Sequence, residues 1–178
     1  MENAKTHAMF YGLFIGAILI AQFFLGLLVG NFAMLVNLAA IVLLIVLMYR
    51  FGCDCRNRIY DGYWSYGQAF GYLFFLVLYG AFISGVVRAI YGYFSNSYLS
   101  MVQKTMTLVM EIYENMLPAD MFERIKTQVP PITPNFMIIM GFIQMLGTLI
   151  NGTITALVLA AFLKKEQPLF DKSQNTGN

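Results

Sequence analysis

Four runs of this sequence, Ala8–Val29, Phe32–Tyr49, Ala69–Val87 and Asn135–Leu163, contain no Asp, Glu, Lys or Arg. A hydrocarbon layer about 30 Å thick is crossed by a helix of about 20 apolar residues, which pairs all of its backbone groups within itself. Runs of this kind exclude an ordinary water-soluble fold. The chain is 59% hydrophobic and 11% charged, whereas soluble domains carry roughly a quarter charged residues. Its mean hydropathy of +0.67 agrees. The expected fold is an all-α membrane protein: one integral membrane domain over 1–178, with spans over 8–29, 32–49, 67–93 and 135–163. An extracytoplasmic amphipathic helical segment is expected over 95–133, between the third and fourth spans.

The formal net charge of +2, with no basic patch interleaved with aromatics, sets nucleic acid aside as a partner. Cys53, Cys55 and His7 are too few for a structural zinc site, which usually takes four Cys or His ligands. No metal and no cofactor are therefore expected. The apolar part of the first run is longer than the 7 to 15 residues of a signal-peptide core, so it is expected to stay in the mature chain.

In chain order, the first span holds Gly12, Gly16, Gly26 and Gly30, two small-xxx-small pairs that let another backbone come close. Gly30-Asn31 is a turn signal, so the first two spans form a tight hairpin. The stretch from Arg50 to Tyr63 reads as a short loop, with Arg50, Arg56 and Arg58 against Asp54 and Asp61. Its positive excess, with Lys5 near one terminus and Lys164, Lys165 and Lys172 near the other, places both termini in the cytoplasm. At Ser65 and Gln68 the chain has capping-box spacing, so the third helix starts there. Tyr63, Trp64 and Tyr66 before it, and Tyr91, Tyr93 and Phe94 after it, suit the two edges of a bilayer.

Between the last two spans, Leu99, Val102, Met106, Val109, Tyr113 and Met116 recur at three and four residues, the mark of an amphipathic helix. Pro118 breaks or restarts it, and Pro130-Pro131 ends it. Thr133-Pro134 is an N-cap followed by the residue best suited to the first helical position. The fourth helix, counted from Asn135, spans roughly 43 Å. It therefore either tilts or protrudes from the membrane.

Arg88 is the sharpest candidate for function, since a charge at depth in a span is paired, snorkelled or functional. It either reaches headgroups or pairs with Glu111, Glu114, Asp120 or Glu123, or else clamps a lipid or lipid-linked phosphate bidentately. Gln144, Thr148, Asn151 and Thr155 follow at four, three and four residues on one face of the fourth span. That polar seam is either interhelical packing, with Asn37 or Gln22 as partners, or the wall of a hydrated path. No span contains a carboxylate, which argues against an ion-coupled transporter. The methionines around the outer segment suit copper less well than adaptable apolar packing. With His7 expected in the N-terminal tail, no Ser, His and acid set is at hand, and an enzyme is not expected.

The Trp64-Ser65-Tyr66-Gly67-Gln68-Ala69-Phe70 stretch carries a resemblance, together with Arg58, Tyr11-Gly12, Gly16, the glycine-punctuated helix ending Ile90-Tyr91 and the closing Lys164-Lys165. It resembles a family of uncharacterised four-helix inner-membrane proteins of Bacteroidota, a domain of unknown function. Tyr66 stands where that family usually has Phe. The resemblance implies location and topology but no catalytic residues. The expected function is that of a non-enzymatic partner or assembly subunit of another envelope protein, or a homo-oligomer, in the bacterial inner membrane. The alternative is a small oligomeric transporter or translocator of a lipid-linked phosphate compound.

Overall fold

A computed structural model describes residues 3–165, apart from the side chain of Asn31. The tail with Lys172 lies outside the described residues. Six α-helices follow one another: α1 (Ala4–Val29), α2 (Ala33–Ile59), α3 (Tyr66–Phe94), α4 (Asn96–Met116), α5 (Ala119–Gln128) and α6 (Pro134–Leu163). A 3-10 turn, Gly30–Phe32, joins the first two. Of these, α1, α2, α3 and α6 are long and apolar enough to cross a membrane, as in a multi-pass membrane protein. The chain divides into two compact units, Met1–Ser84 with Met145–Asn178 and Gly85–Gln144.

Local sequence explains most of the boundaries. Ser65 and Gln68 form the reciprocal cap: the Ser65 amide donates to Gln68 Oε1 at 3.1 Å, and the Gln68 amide to Ser65 Oγ at 3.3 Å. Ahead of α6, Thr133 Oγ1 accepts from the Phe136 amide at 3.3 Å. At the first turn Gly30 takes φ of +51°, a conformation that glycine adopts without strain.

Two boundaries differ from the expectation. First, α1 starts at Ala4, capped by Asn3, whose side chain accepts from the Lys5 amide; His7 is therefore helical and buried rather than part of a tail. Second, the stretch from Arg50 is no loop, because α2 continues to Ile59. Its charges sit at helical spacing, with Arg58 Nε 2.8 Å from Asp54 Oδ1 four residues earlier. The helix stops where Asp61 and Gly62 take positive φ and the Gly62 amide reaches back to Arg56 O at 3.1 Å.

In the first unit α3 is the packing axis. Trp64, Ala69, Leu73 and Leu76 are essentially inaccessible, with Ala8, Ile15, Ala156, Ala160 and Leu163 around them. Small residues set the closeness of α1 and α3. A methyl added at Gly12 would lie 2.7 Å from Tyr79 Cβ, and one at Gly80 2.7 Å from Ile15 Cγ2. The Gly26 and Gly30 pair makes no such contact, since nothing lies within 4 Å of either added methyl. The strand-like pairing of Trp64 with Lys165, through amide-to-carbonyl bonds of 2.8 and 2.9 Å, fixes the start of α3 beside the end of α6. Arg56 Nη1 also donates to Leu163 O at 3.3 Å, satisfying one of the carbonyls that a helix C-terminus leaves unpaired.

The second unit contains the ends of α3 and α6 that face each other, together with α4 and α5. Gly141 is needed there because an added methyl would meet the Ala89 backbone, at 2.8 Å from Cα and 2.9 Å from N. Pro118 separates α4 from α5, as the sequence predicts. After α5, Gln103 Nε2 donates to Ile132 O at 2.9 Å, tying the Pro130-Pro131 segment back to α4. Phe122 is the buried residue of α5, whereas α4 has none.

Candidate functional site

In the second unit, α3 presents Arg88 to Gln144 of α6, and Arg88 Nη1 donates to Gln144 Oε1 at 3.0 Å. The pair sits next to the close contact of Gly141 with Ala89, where the two backbones approach too near for larger side chains. The amide oxygen can only accept here, and the guanidinium can only donate. Tyr98, at the start of α4, senses the Arg88 charge. Burial pushes the Tyr98 phenol above its ordinary value and Arg88 pulls it back, while Tyr91, its ring 5.7 Å away, pushes it up further.

The other members of the polar seam behave differently. Asn151 is exposed, and its Nδ2 donates to Gly147 O of its own helix at 2.8 Å. Thr155 Oγ1 likewise donates to Asn151 O at 3.0 Å. This back-bonding over four residues lets a polar side chain satisfy itself without a partner helix. The residues named as possible partners pair with each other instead, Gln22 Nε2 donating to Asn37 Oδ1 at 2.8 Å between α1 and α2. Of the seam, then, Gln144 joins Arg88, whereas Asn151 and Thr155 bond their own backbone; Thr148 is half-buried.

A second polar cluster, in the first unit, has no counterpart in the sequence reading. His7 is 1% exposed and joins three helices. Its Nδ1 lies 2.8 Å from Tyr72 Oη of α3, and its Nε2 lies 3.2 Å from Asp54 Oδ2 of α2. Asp54 uses its other oxygen for Arg58. A carboxylate only accepts, so in the neutral imidazole Nε2 carries the proton and Nδ1 accepts from the Tyr72 hydroxyl. The Tyr11 ring covers the imidazole at a centroid distance of 4.4 Å. The available signal was periodicity: carried back one turn from Ile15 and Tyr11, the inward stripe of α1 reaches His7.

This cluster can hold a proton and fix three helices in register. Nucleophilic chemistry is another matter, since Tyr72 is itself buried, at 4% exposure. Among the described residues no three His, Cys, Asp or Glu side chains converge on a metal position. Among the described residues two open hollows bear on binding. One of about 500 Å³ lies in the first unit beside Tyr60, Tyr63, Trp64 and Lys165. The other, of about 380 Å³ in the second unit, is walled by Ile90, Tyr93, Phe94, Ile138 and Phe142 and is almost wholly apolar. The apolar one lacks the convergent polar groups of a small-molecule site, whereas Asp61, Ser65, Gln68 and Lys165 line the other.

The sequence profile of a family described as protein of unknown function (DUF4199) matches residues 10–165, and the chain belongs to that family. No curated protein and no solved structure matches it.

Proposed function

We propose that this member of the DUF4199 family is a non-enzymatic partner or assembly subunit of the bacterial inner membrane, in a member of the Bacteroidota, docking protein through α4 and α5. In this reading both termini are cytoplasmic, and α4 with α5 lies along the outer surface. The distribution of cations supports the orientation. Lys5, Arg50, Arg56, Arg58, Lys164, Lys165 and Lys172 fall on the inner side, against Lys104, Arg124 and Lys126 on the outer. The observation that carries the docking reading is the uncovered apolar flank of α4. Apolar surface of this kind outside a span marks an interaction site.

The test is purification from native membranes in a gentle detergent. The wild type should bring down a stoichiometric protein partner, and Leu108→Asp should release it; a wild type that emerges as a lone monomer would sink the proposal. Arg88 held by Gln144 favours a second reading, a translocator of a lipid-linked phosphate compound, because a charged guanidinium on an amide can exchange that partner for phosphate oxygens. Under this alternative Arg88→Gln abolishes binding of a polyprenyl phosphate in liposomes, and under the docking reading it leaves partner capture intact.

A further inference from the structure

The polar face of α4 runs through Ser100, Gln103, Lys104, Thr107, Glu111 and Glu114, and the remaining arc is apolar apart from Thr105 and the tyrosine hydroxyls. That arc has two halves. Val102, Met106 and Val109 are half-buried in the chain. Beside them Met101, Leu108 and Ile112 stand 43%, 59% and 56% exposed, with exposed Thr105 between.

Met101, Thr105, Leu108 and Ile112 are spaced four, three and four, the d-a-d-a order of a heptad seam. In that register Lys104 and Glu111 take the two g positions, next to the seam. Both are exposed, and among the described residues neither forms an ion pair. Seven residues apart, about 10 Å along the helix, they cannot reach each other within one chain.

We infer that the partner of this face is a second copy of the same chain, paired α4 to α4 in antiparallel register. Antiparallel helices set g against g, so Lys104 of one copy meets Glu111 of the other, and the reverse pair follows by symmetry. The same register stacks Thr105 on the second Leu108 and Ile112 on the second Met101. A parallel pair would set g against e, and Lys104 would face Val109 instead. Membrane geometry selects the same direction. Two copies inserted with one orientation are related by a twofold axis along the membrane normal, which reverses any helix lying along the surface. A lipid surface suits the face less well, because helices adsorbed on anionic headgroups carry Lys and Arg on the polar side, whereas α4 carries one Lys and two Glu. The inference rests on the docking reading above and names its partner.

The test co-expresses two differently tagged copies in one membrane and measures co-capture. Lys104→Glu paired with itself, and Glu111→Lys paired with itself, should each fall about tenfold, since two symmetry-related contacts become repulsive. Lys104→Glu mixed with Glu111→Lys should recover to within about threefold of wild type, because both contacts are again opposite in sign. Both sites are exposed, so unchanged circular dichroism and melting confirm that the variants fold. Homotypic pairs that associate as well as wild type overturn the antiparallel pairing. A wild type that captures no second copy overturns self-association. In that case, Leu108→Asp still releasing a different envelope protein keeps the docking reading, and no release overturns both.

Discussion

The Trp64–Leu76 stretch and α4 are both rich in apolar side chains, yet they end in opposite states. Trp64, Leu73 and Leu76 are at most 1% exposed, whereas α4 has no buried residue in its whole length. Apolarity does not account for the difference. In lipid, tails solvate Leu as well as another helix does, so close burial has to be built from small residues and polar bonds. Around α3 those are Gly12, Gly16, Gly80 and the bonds of His7. Over Met101–Met116 α4 contains no glycine, and its hydroxyls serve its own backbone, as Thr105 does to Met101 O and Thr107 to Gln103 O. One region is organised to close on itself and the other is left open.

Substitutions in the two regions should separate accordingly. Leu73→Ala opens a cavity in the closed region and should cost about 2–5 kcal/mol, read as a lower midpoint of thermal unfolding in detergent. His7→Leu should cost about 1–3 kcal/mol, because Tyr72 and Asp54 each lose a bond inside the protein; His7→Gln, able to keep one of the two, should recover part of it. Leu108→Ser on α4 should shift the unfolding of the monomer by about 0.5 kcal/mol or less. A loss at Leu108 as large as that at Leu73 would erase the contrast and place α4 in the core.

The legible features were those whose causes are local. The four long apolar helices follow from uninterrupted apolar runs, and the starts of α3 and α6 from the Ser65-Gln68 and Thr133-Pro134 caps. Gly12 and Gly16 were readable as a packing stripe. Gly26 and Gly30 have the same spacing but no neighbour, because spacing does not say whether a helix comes near. The extension of α2 to Ile59 was hidden by its charges, which look like a loop until Asp54 and Arg58 are seen to pair along one helix. That extension brings Asp54 to His7 from 47 residues away, and Tyr72 comes from 65 residues away. No local pattern encodes such a meeting. In the polar seam, Asn151 and Thr155 satisfied themselves on the preceding turn, an option that residue type alone does not reveal.

The contrast is tested most directly by the access of a water-soluble maleimide to Leu108→Cys in native membranes, with Cys53→Ser in the background and Cys55 fully buried. A face covered by a second copy should label slowly, and about tenfold faster once Lys104→Glu is added to weaken the pairing. Equal rates in the two backgrounds, whether both fast on a bare helix or both slow against lipid, would contradict an α4 face built for protein.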